Sequence, residues 1–177
     1  MKTRTCAFWL AAVLISSCLA PAQQAPAKGI LGPVDLKKLI PQDYFFAGMT
    51  ASVQPGMNAG VRFASGKVLL VALVNTSGYA SAIQQKYQAL FLTDSPLKIE
   101  GSQVQPGAYG CGFVSGKFIV MNVAAEDVLS VAAHRDDKLQ RAVPLKFVEQ
   151  DGSYRFYAGK NFVTLRPETG RVPSRPQ

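Results

Sequence analysis

The sequence predicts a mostly β domain, with one or two short helices, built as an antiparallel β-sandwich or a small β-barrel. From Tyr44 onward, β-branched and aromatic runs alternate with Gly, Asn, Asp and Pro, a pattern typical of strands joined by turns. The chain has 177 residues, of which 48% are hydrophobic, and this is enough for one real core. We therefore expect a single folded domain over residues 34–166.

The apolar runs give the positions of the strands. We predict strands at 44–53, 60–64, 67–74, 87–93, 97–100, 108–114, 117–123, 128–133, 143–149, 154–157 and 161–166. A short helix at 34–40 is predicted because Pro33 precedes it, Asp35 lies in its first turn and Pro41 ends it. The segment 77–88 reads either as a short helix or as a crossing loop, and 136–141 as one helical turn.

Three similar turns indicate hairpins. The strings FASGK, FVSGK and FYAGK begin at Phe63, Phe113 and Phe156, and each precedes an apolar run. Glycine suits such turns because two-residue hairpin loops require positive φ. The string VQPG precedes the first two, at Val53 and Val104, so the chain carries either an internal duplication of roughly 50 residues or two hairpins of convergent composition.

The first 22 residues have the pattern of a secretory signal peptide. Lys2 and Arg4 precede an apolar run, which small residues follow up to a cleavage site after Ala22. The string ISSC, ending at Cys18, also resembles the lipobox of bacterial lipoproteins, which implies acylation of Cys18 as the first residue of the mature chain. We predict an exported protein, periplasmic or extracellular, that is tethered to a membrane if Cys18 is acylated.

Two further segments flank the predicted domain. Residues 23–33, QQAPAKGILGP, have no periodic apolar face and read as a flexible linker. Residues 167–177 carry prolines and arginines and read as a disordered basic tail. The formal net charge of +8 suggests an anionic partner, either an envelope component or an envelope protein. Export argues against nucleic acid.

The sequence predicts no catalytic residue, no metal site and no cofactor. His134 is the only histidine, which excludes a histidine-rich zinc site within the chain. Cys111 is the only cysteine beyond the predicted signal and reads as a buried strand residue. No G-x-S-x-G string is present, and none of the Gly-Lys pairs has the glycine and hydroxyl of a phosphate-binding loop.

Two groups of side chains could contact a ligand or a surface. Tyr44, Phe45 and Phe46 are consecutive in a predicted strand, so at least one ring must face each side. Arg155 and Tyr157 flank an inward-facing aromatic residue and therefore face outward. These features favour a non-enzymatic binding or structural β-domain; the alternatives are a carrier of an apolar small molecule in a β-barrel and a hydrolase with an unrecognised site.

The two predicted routes of export give different N-termini. Cleavage after Ala22 releases a chain that begins at Gln23, whereas the lipoprotein route leaves an acylated Cys18 at the N-terminus. Intact-mass analysis of the mature protein, taken gently from its native envelope, should give the mass of residues 23–177. A mass equal to residues 18–177 plus acyl groups would establish the lipoprotein route, and an unprocessed chain would contradict both.

Overall fold

The computed structural model describes residues 27–168. The predicted signal peptide at 1–22, with Cys18, lies outside these residues, as do 23–26 of the predicted linker and 169–177 of the predicted tail. Gly29 and Ile30, within the segment predicted as a linker, form a short strand against the domain.

Residues 27–168 form two antiparallel β-sheets and two short helices, which confirms the mostly β prediction. In chain order the elements are β1 (Gly29–Ile30), α1 (Pro33–Leu39), β2 (Asp43–Phe46), β3 (Met49–Arg62), β4 (Val68–Val74), α2 (Ser81–Lys86), β5 (Ala89–Thr93), β6 (Leu97–Ile99), β7 (Ser102–Val104), β8 (Gly107–Val114), β9 (Lys117–Met121), β10 (Asp127–Ala132), β11 (His134–Arg135), β12 (Val143–Gln150), β13 (Ser153–Gly159) and β14 (Asn161–Pro167).

The two sheets pack face to face as a sandwich. Sheet 1 has the order β1-β3-β4-β5-β8-β9-β10, with β2 paired to β3, and sheet 2 has the order β12-β13-β14-β6-β7, with β11 paired to β14. Within residues 27–168 neither sheet closes on itself, so the architecture is the sandwich of the two predicted forms. The main core lies between the sheets and includes Phe91, Phe118, Phe147, Phe156 and Val163.

Sheet 1 is covered on both faces. Its central strands β4 and β5 read VLLVALV and ALFLT, near-continuous apolar runs typical of strands buried on both sides. Leu69 and Val71 face sheet 2, whereas Leu70 faces outward and packs against Leu31 and Leu36 of the α1 region. The hairpin of β2 and the first half of β3, together with the α2 region, covers the rest of the outer face.

Four tight turns shape the hairpins. Each consists of a residue followed by glycine, both with positive φ: Ala47-Gly48, Glu100-Gly101, Ser115-Gly116 and Asp151-Gly152. Such turns match the right-handed twist of paired strands. The prediction of one strand over 44–53 is therefore wrong, because the chain reverses at Ala47-Gly48 and pairs β2 with β3. The turn at Glu100-Gly101 likewise creates β7, which the sequence analysis did not predict.

The two VQPG segments occupy the same place in the order of elements. Each follows a hairpin closed by a residue-glycine turn, and each leads into a second hairpin, β3-β4 or β8-β9. Their positions differ: the first hairpin of the first unit covers sheet 1, whereas that of the second unit, β6-β7, belongs to sheet 2. The shared order fits an internal duplication, which remains a prediction.

Three segments of the sequence are candidates for helices: 34–40, 77–88, for which a crossing loop is the alternative, and 136–141. The helix predicted at 34–40 is confirmed as α1, and 77–88 contains the short helix α2. The helical turn predicted at 136–141 is wrong. Residues 137–138 form a turn, in which the backbone N–H of Lys138 donates to the side chain of Asp136 at 3.1 Å, so the aspartate stabilises a turn instead of capping a helix.

Gly112 permits the close crossing of α2 over β8. A Cβ at this position would collide with the backbone carbonyl oxygen of Lys86. We expect Gly112→Ala to lower the free energy of unfolding by about 1–3 kcal/mol, because the backbone must shift to admit the methyl group. Gly32→Ala is the control: nothing lies within 4 Å of its Cβ position, so its effect should stay within about 1 kcal/mol. Urea denaturation measures both variants, and an equal loss of unfolding free energy in Gly112→Ala and Gly32→Ala would contradict this explanation.

Candidate binding groove

A groove of about 720 Å³ lies at the edge of sheet 1, between α1 and β3. One wall comes from α1 and the residues that follow it, and the other from β3 where that strand departs from regular pairing. The lining residues are Pro33, Leu36, Lys37, Ile40, Pro41, Gln42, Asp43, Ser52, Val53, Pro55, Gly56 and Asn58. Its volume lies in the usual range for small-molecule sites, roughly 300–1,000 Å³.

A bulge in β3 creates the second wall. Val53 pairs with Val74, and Asn58 pairs with Ala72. Between these two pairs β3 therefore contains more residues than β4, which is the definition of a bulge. Gly56 has φ of 77°, a left-handed conformation that glycine adopts readily. Pro55 has no N–H to donate to a ladder, which suits it to a bulge.

Local hydrogen bonds hold the bulge. The amide of Asn58, in the orientation that satisfies its hydrogen bonds, donates to the backbone carbonyls of Gln54 and Met57 at 3.2 and 3.0 Å. The side chain of Gln54 donates to the carbonyl of Val74 at 3.3 Å. The wall of the groove is thus supported by side chains of the bulge itself.

The groove combines an apolar lining with two charges. Leu36, Ile40, Val53 and the three prolines supply the apolar surface. Lys37 and Asp43 line the same groove, and within residues 27–168 neither forms an ion pair or a side-chain hydrogen bond. The site therefore offers an apolar surface with one cation and one anion available to a ligand.

The consecutive aromatic residues of β2 separate to opposite faces, next to the groove but outside it. Phe46 is fully buried and stacks on Tyr87 with ring centroids 3.9 Å apart, whereas Phe45 is 57% exposed. Tyr44 is half-buried against Phe46, at 6.5 Å. Gly110 on β8 makes room for this stack, because a Cβ there would lie 2.7 Å from the ring of Phe46.

Arg155 and Tyr157 lie on the other sheet, on the outer face of sheet 2, where Arg155 is half-buried and Tyr157 is buried. The Arg155 guanidinium lies over the Phe162 ring, 4.8 Å from its centroid. The Tyr157 hydroxyl donates to Asp136 at 3.1 Å, and its ring lies 5.1 Å from that of Phe162. The structure thus divides the five residues singled out in the sequence into two separate sites.

The two groups with catalytic potential in the sequence occupy unrelated places. Cys111 is buried in the main core, and burial raises the pKa of its thiol, which disfavours the reactive thiolate. His134 lies on the surface, with Nε2 3.2 Å from Glu100. Residues 27–168 contain no group of three or more His, Cys, Asp or Glu side chains placed to hold a metal ion.

The groove is not evident from the sequence pattern. Its residues come from a helix end, a connecting segment and a strand bulge, and only their packing brings them together. The VQPG string was a usable signal, because proline and glycine inside an apolar strand pattern indicate a bulge.

Tyr87 provides a test of the packing beneath the β2 hairpin. Its hydroxyl is buried without a hydrogen-bond partner in the described structure, and burial is the main cause that raises its pKa above the ordinary value of 10. Tyr87→Phe should therefore leave stability at pH 7 unchanged or raise it by up to about 1 kcal/mol. Because the raised pKa favours unfolding only above pH 10, the variant should also lose stability less steeply there.

Tyr157→Phe is the matched control, since that hydroxyl has a partner in Asp136. It should lower the free energy of unfolding by about 0.5–1.5 kcal/mol. Chemical denaturation at pH 7 and at several values between pH 9 and 12 measures both effects. A loss of more than about 2 kcal/mol in Tyr87→Phe would show that the hydroxyl has a partner.

No helix of the described residues is long and apolar enough to cross a membrane. The chain matches no protein-family model, and neither a curated protein nor a solved structure matches it.

Proposed function

We propose that this chain is an exported, non-enzymatic binding protein whose groove between α1 and β3 takes a small ligand with an apolar body. The observation that carries the proposal is the groove itself, about 720 Å³ in volume and lined mainly by apolar side chains. Export rests on the secretory pattern of residues 1–22. Binding to an apolar surface of this size removes enough ligand surface from water to give useful affinity.

The polar groups of the groove define the rest of the ligand. Lys37 and Asp43 are free to pair with an acidic and a basic or hydroxyl group, and Ser52 adds an exposed hydroxyl. A few polar groups on an apolar surface fix the orientation of a ligand more than they add affinity. The ligand that fits best combines an apolar body with an acidic group and a basic or hydroxyl group.

The groove, and not the space between the sheets, is the place where this protein could carry an apolar molecule. A carrier of the kind predicted from the sequence would hold its ligand inside a β-barrel. The space between the two sheets beside Cys111 is only about 20 Å³. That volume accommodates about one water molecule. A carried ligand would therefore occupy the groove in this proposal.

Filling the groove should abolish binding. Ser52 is an exposed serine that lines it, and Ser52→Trp places a large ring in the ligand space. The test titrates the ¹⁵N-labelled protein with a library of small compounds that have apolar bodies and follows the backbone amides by NMR. We expect compounds that shift amides of residues 33–43 and 52–58, and we expect Ser52→Trp to remove those shifts.

Ser130→Trp is the control, because Ser130 is also exposed on a strand but lies in β10, at the opposite edge of sheet 1. It should bind the same compounds as the unchanged protein. Shifts that map only to other surfaces, or that persist in Ser52→Trp, would overturn the proposal.

A further inference from the structure

No helix of the described residues covers the outer face of sheet 2, unlike that of sheet 1, and its side chains are exposed or half-buried apart from the buried Tyr157. The strand alternation that sends Phe147, Phe156 and Val163 into the core sends their neighbours outward. None of the hydrophobic clusters in the described residues includes a side chain of this outer face. The outward residues are Lys98, Gln103, Lys146, Val148, Arg155, Tyr157, Phe162, Thr164 and Arg166.

Three cations cross this face on a diagonal. Lys146 of β12 is opposite Tyr157, and Arg155 lies two residues further along β13. Arg155 in turn is opposite Thr164, and Arg166 lies two residues further along β14. Diagonal neighbours on a sheet are about 7–8 Å apart, so the backbone positions of the three residues form a line with that step, although the Arg155 guanidinium leans from it over the Phe162 ring. We call Lys146, Arg155 and Arg166 the cationic diagonal.

Lys98 is a fourth cation on this face, next to the end of the cationic diagonal. It is directly opposite Arg166 across β6 and β14, and like charges in that position repel. Glu168 lies 3.1 Å from Lys98 and compensates that charge. No acid in the described residues lies within ion-pair distance of Arg166.

The acids around this face are already engaged. Glu100 accepts a hydrogen bond from the backbone of Thr164 and lies 3.2 Å from His134. Asp136 accepts from Tyr157. Glu168 also accepts from Gln103, at 2.6 Å. The cationic diagonal has no ion-pair partner among residues 27–168, so its charges are available to an anionic ligand.

We propose that the outer face of sheet 2 binds a linear anionic polysaccharide along the cationic diagonal. Single positive charges repeated along a line fit a chain with one acidic group per unit better than a compact anion. Thr164, directly opposite Arg155 on the sheet, offers a hydroxyl to the sugar hydroxyl groups. This surface is separate from the groove and does not depend on the function proposed for it.

Two other anionic partners fit the face less well. Lipid bilayers are usually bound through exposed apolar side chains together with cations, but the large exposed hydrophobic residues of the described chain lie on other surfaces. Single-stranded nucleic acids stack their bases on free aromatic rings. Here Phe162 packs against Tyr157 and His134, and Arg155 covers its ring.

The test measures binding of polygalacturonate by isothermal titration calorimetry at two salt concentrations. Lys146→Gln/Arg155→Gln/Arg166→Gln should weaken binding about tenfold or more, because it removes three exposed ion pairs with the polymer, each of which contributes about two- to fivefold. Higher salt should also weaken the binding of polygalacturonate to the unchanged protein, because salt screens exposed charges. The control, Lys38→Gln/Lys67→Gln/Lys117→Gln, removes three exposed cations from other surfaces and should change affinity less than twofold.

Thermal unfolding of both triple variants verifies that they fold. The loss of the Arg155–Phe162 contact could destabilise the variant that lacks all three cations of the diagonal. In that case the double variant Lys146→Gln/Arg166→Gln, which keeps Arg155, is used instead and should weaken binding about fivefold. The proposal is overturned if polygalacturonate does not bind, or if the control weakens binding equally. It is also overturned if vesicles of phosphatidylcholine and phosphatidylglycerol, or single-stranded DNA, bind more tightly with the same dependence on the cationic diagonal.

Discussion

The fold depends on the burial of β4 and β5 on both faces. Their apolar side chains cannot be satisfied by a single partner sheet, because alternate residues of a strand point in opposite directions. Sheet 2 covers one side, and α1, the β2 hairpin and the α2 region cover the other. Gly110 and Gly112 complete this arrangement, since only residues without a Cβ let Phe46, Tyr87 and the end of α2 approach β8.

The same constraint explains where the candidate sites lie. The groove forms where the cover over sheet 1 meets its edge, and the β3 bulge supplies one of its walls. Sheet 2 has no such cover, so its outer face carries charged and polar side chains and is accessible to a partner. One sheet thus supplies a concave apolar site and the other a flat cationic one, which suits two ligands of different chemistry.

Both sites are consistent with a binding protein that works outside the cytoplasm. A concave site favours a small molecule, whereas a flat face with spaced charges favours an extended polymer. The groove lies at the edge of sheet 1, whereas the cationic diagonal crosses the outer face of sheet 2. A protein of this kind would hold a small ligand while attached to an anionic matrix.

The sequence by itself predicted the mostly β fold class, most strands, the helix α1 and the hairpins at its three Gly-Lys pairs, because these depend on local periodicity and on turn residues. Strand alternation also required the rings of Tyr44, Phe45 and Phe46 to divide between two faces and Arg155 and Tyr157 to point outward, but it did not indicate that the outward Tyr157 would be buried. The sequence missed the reversals at Ala47-Gly48 and Glu100-Gly101, since a single glycine does not reveal that its neighbour also has positive φ. Only the tertiary structure decided the sandwich over the barrel, the groove and the cationic diagonal, because each depends on the pairing of segments distant in the chain.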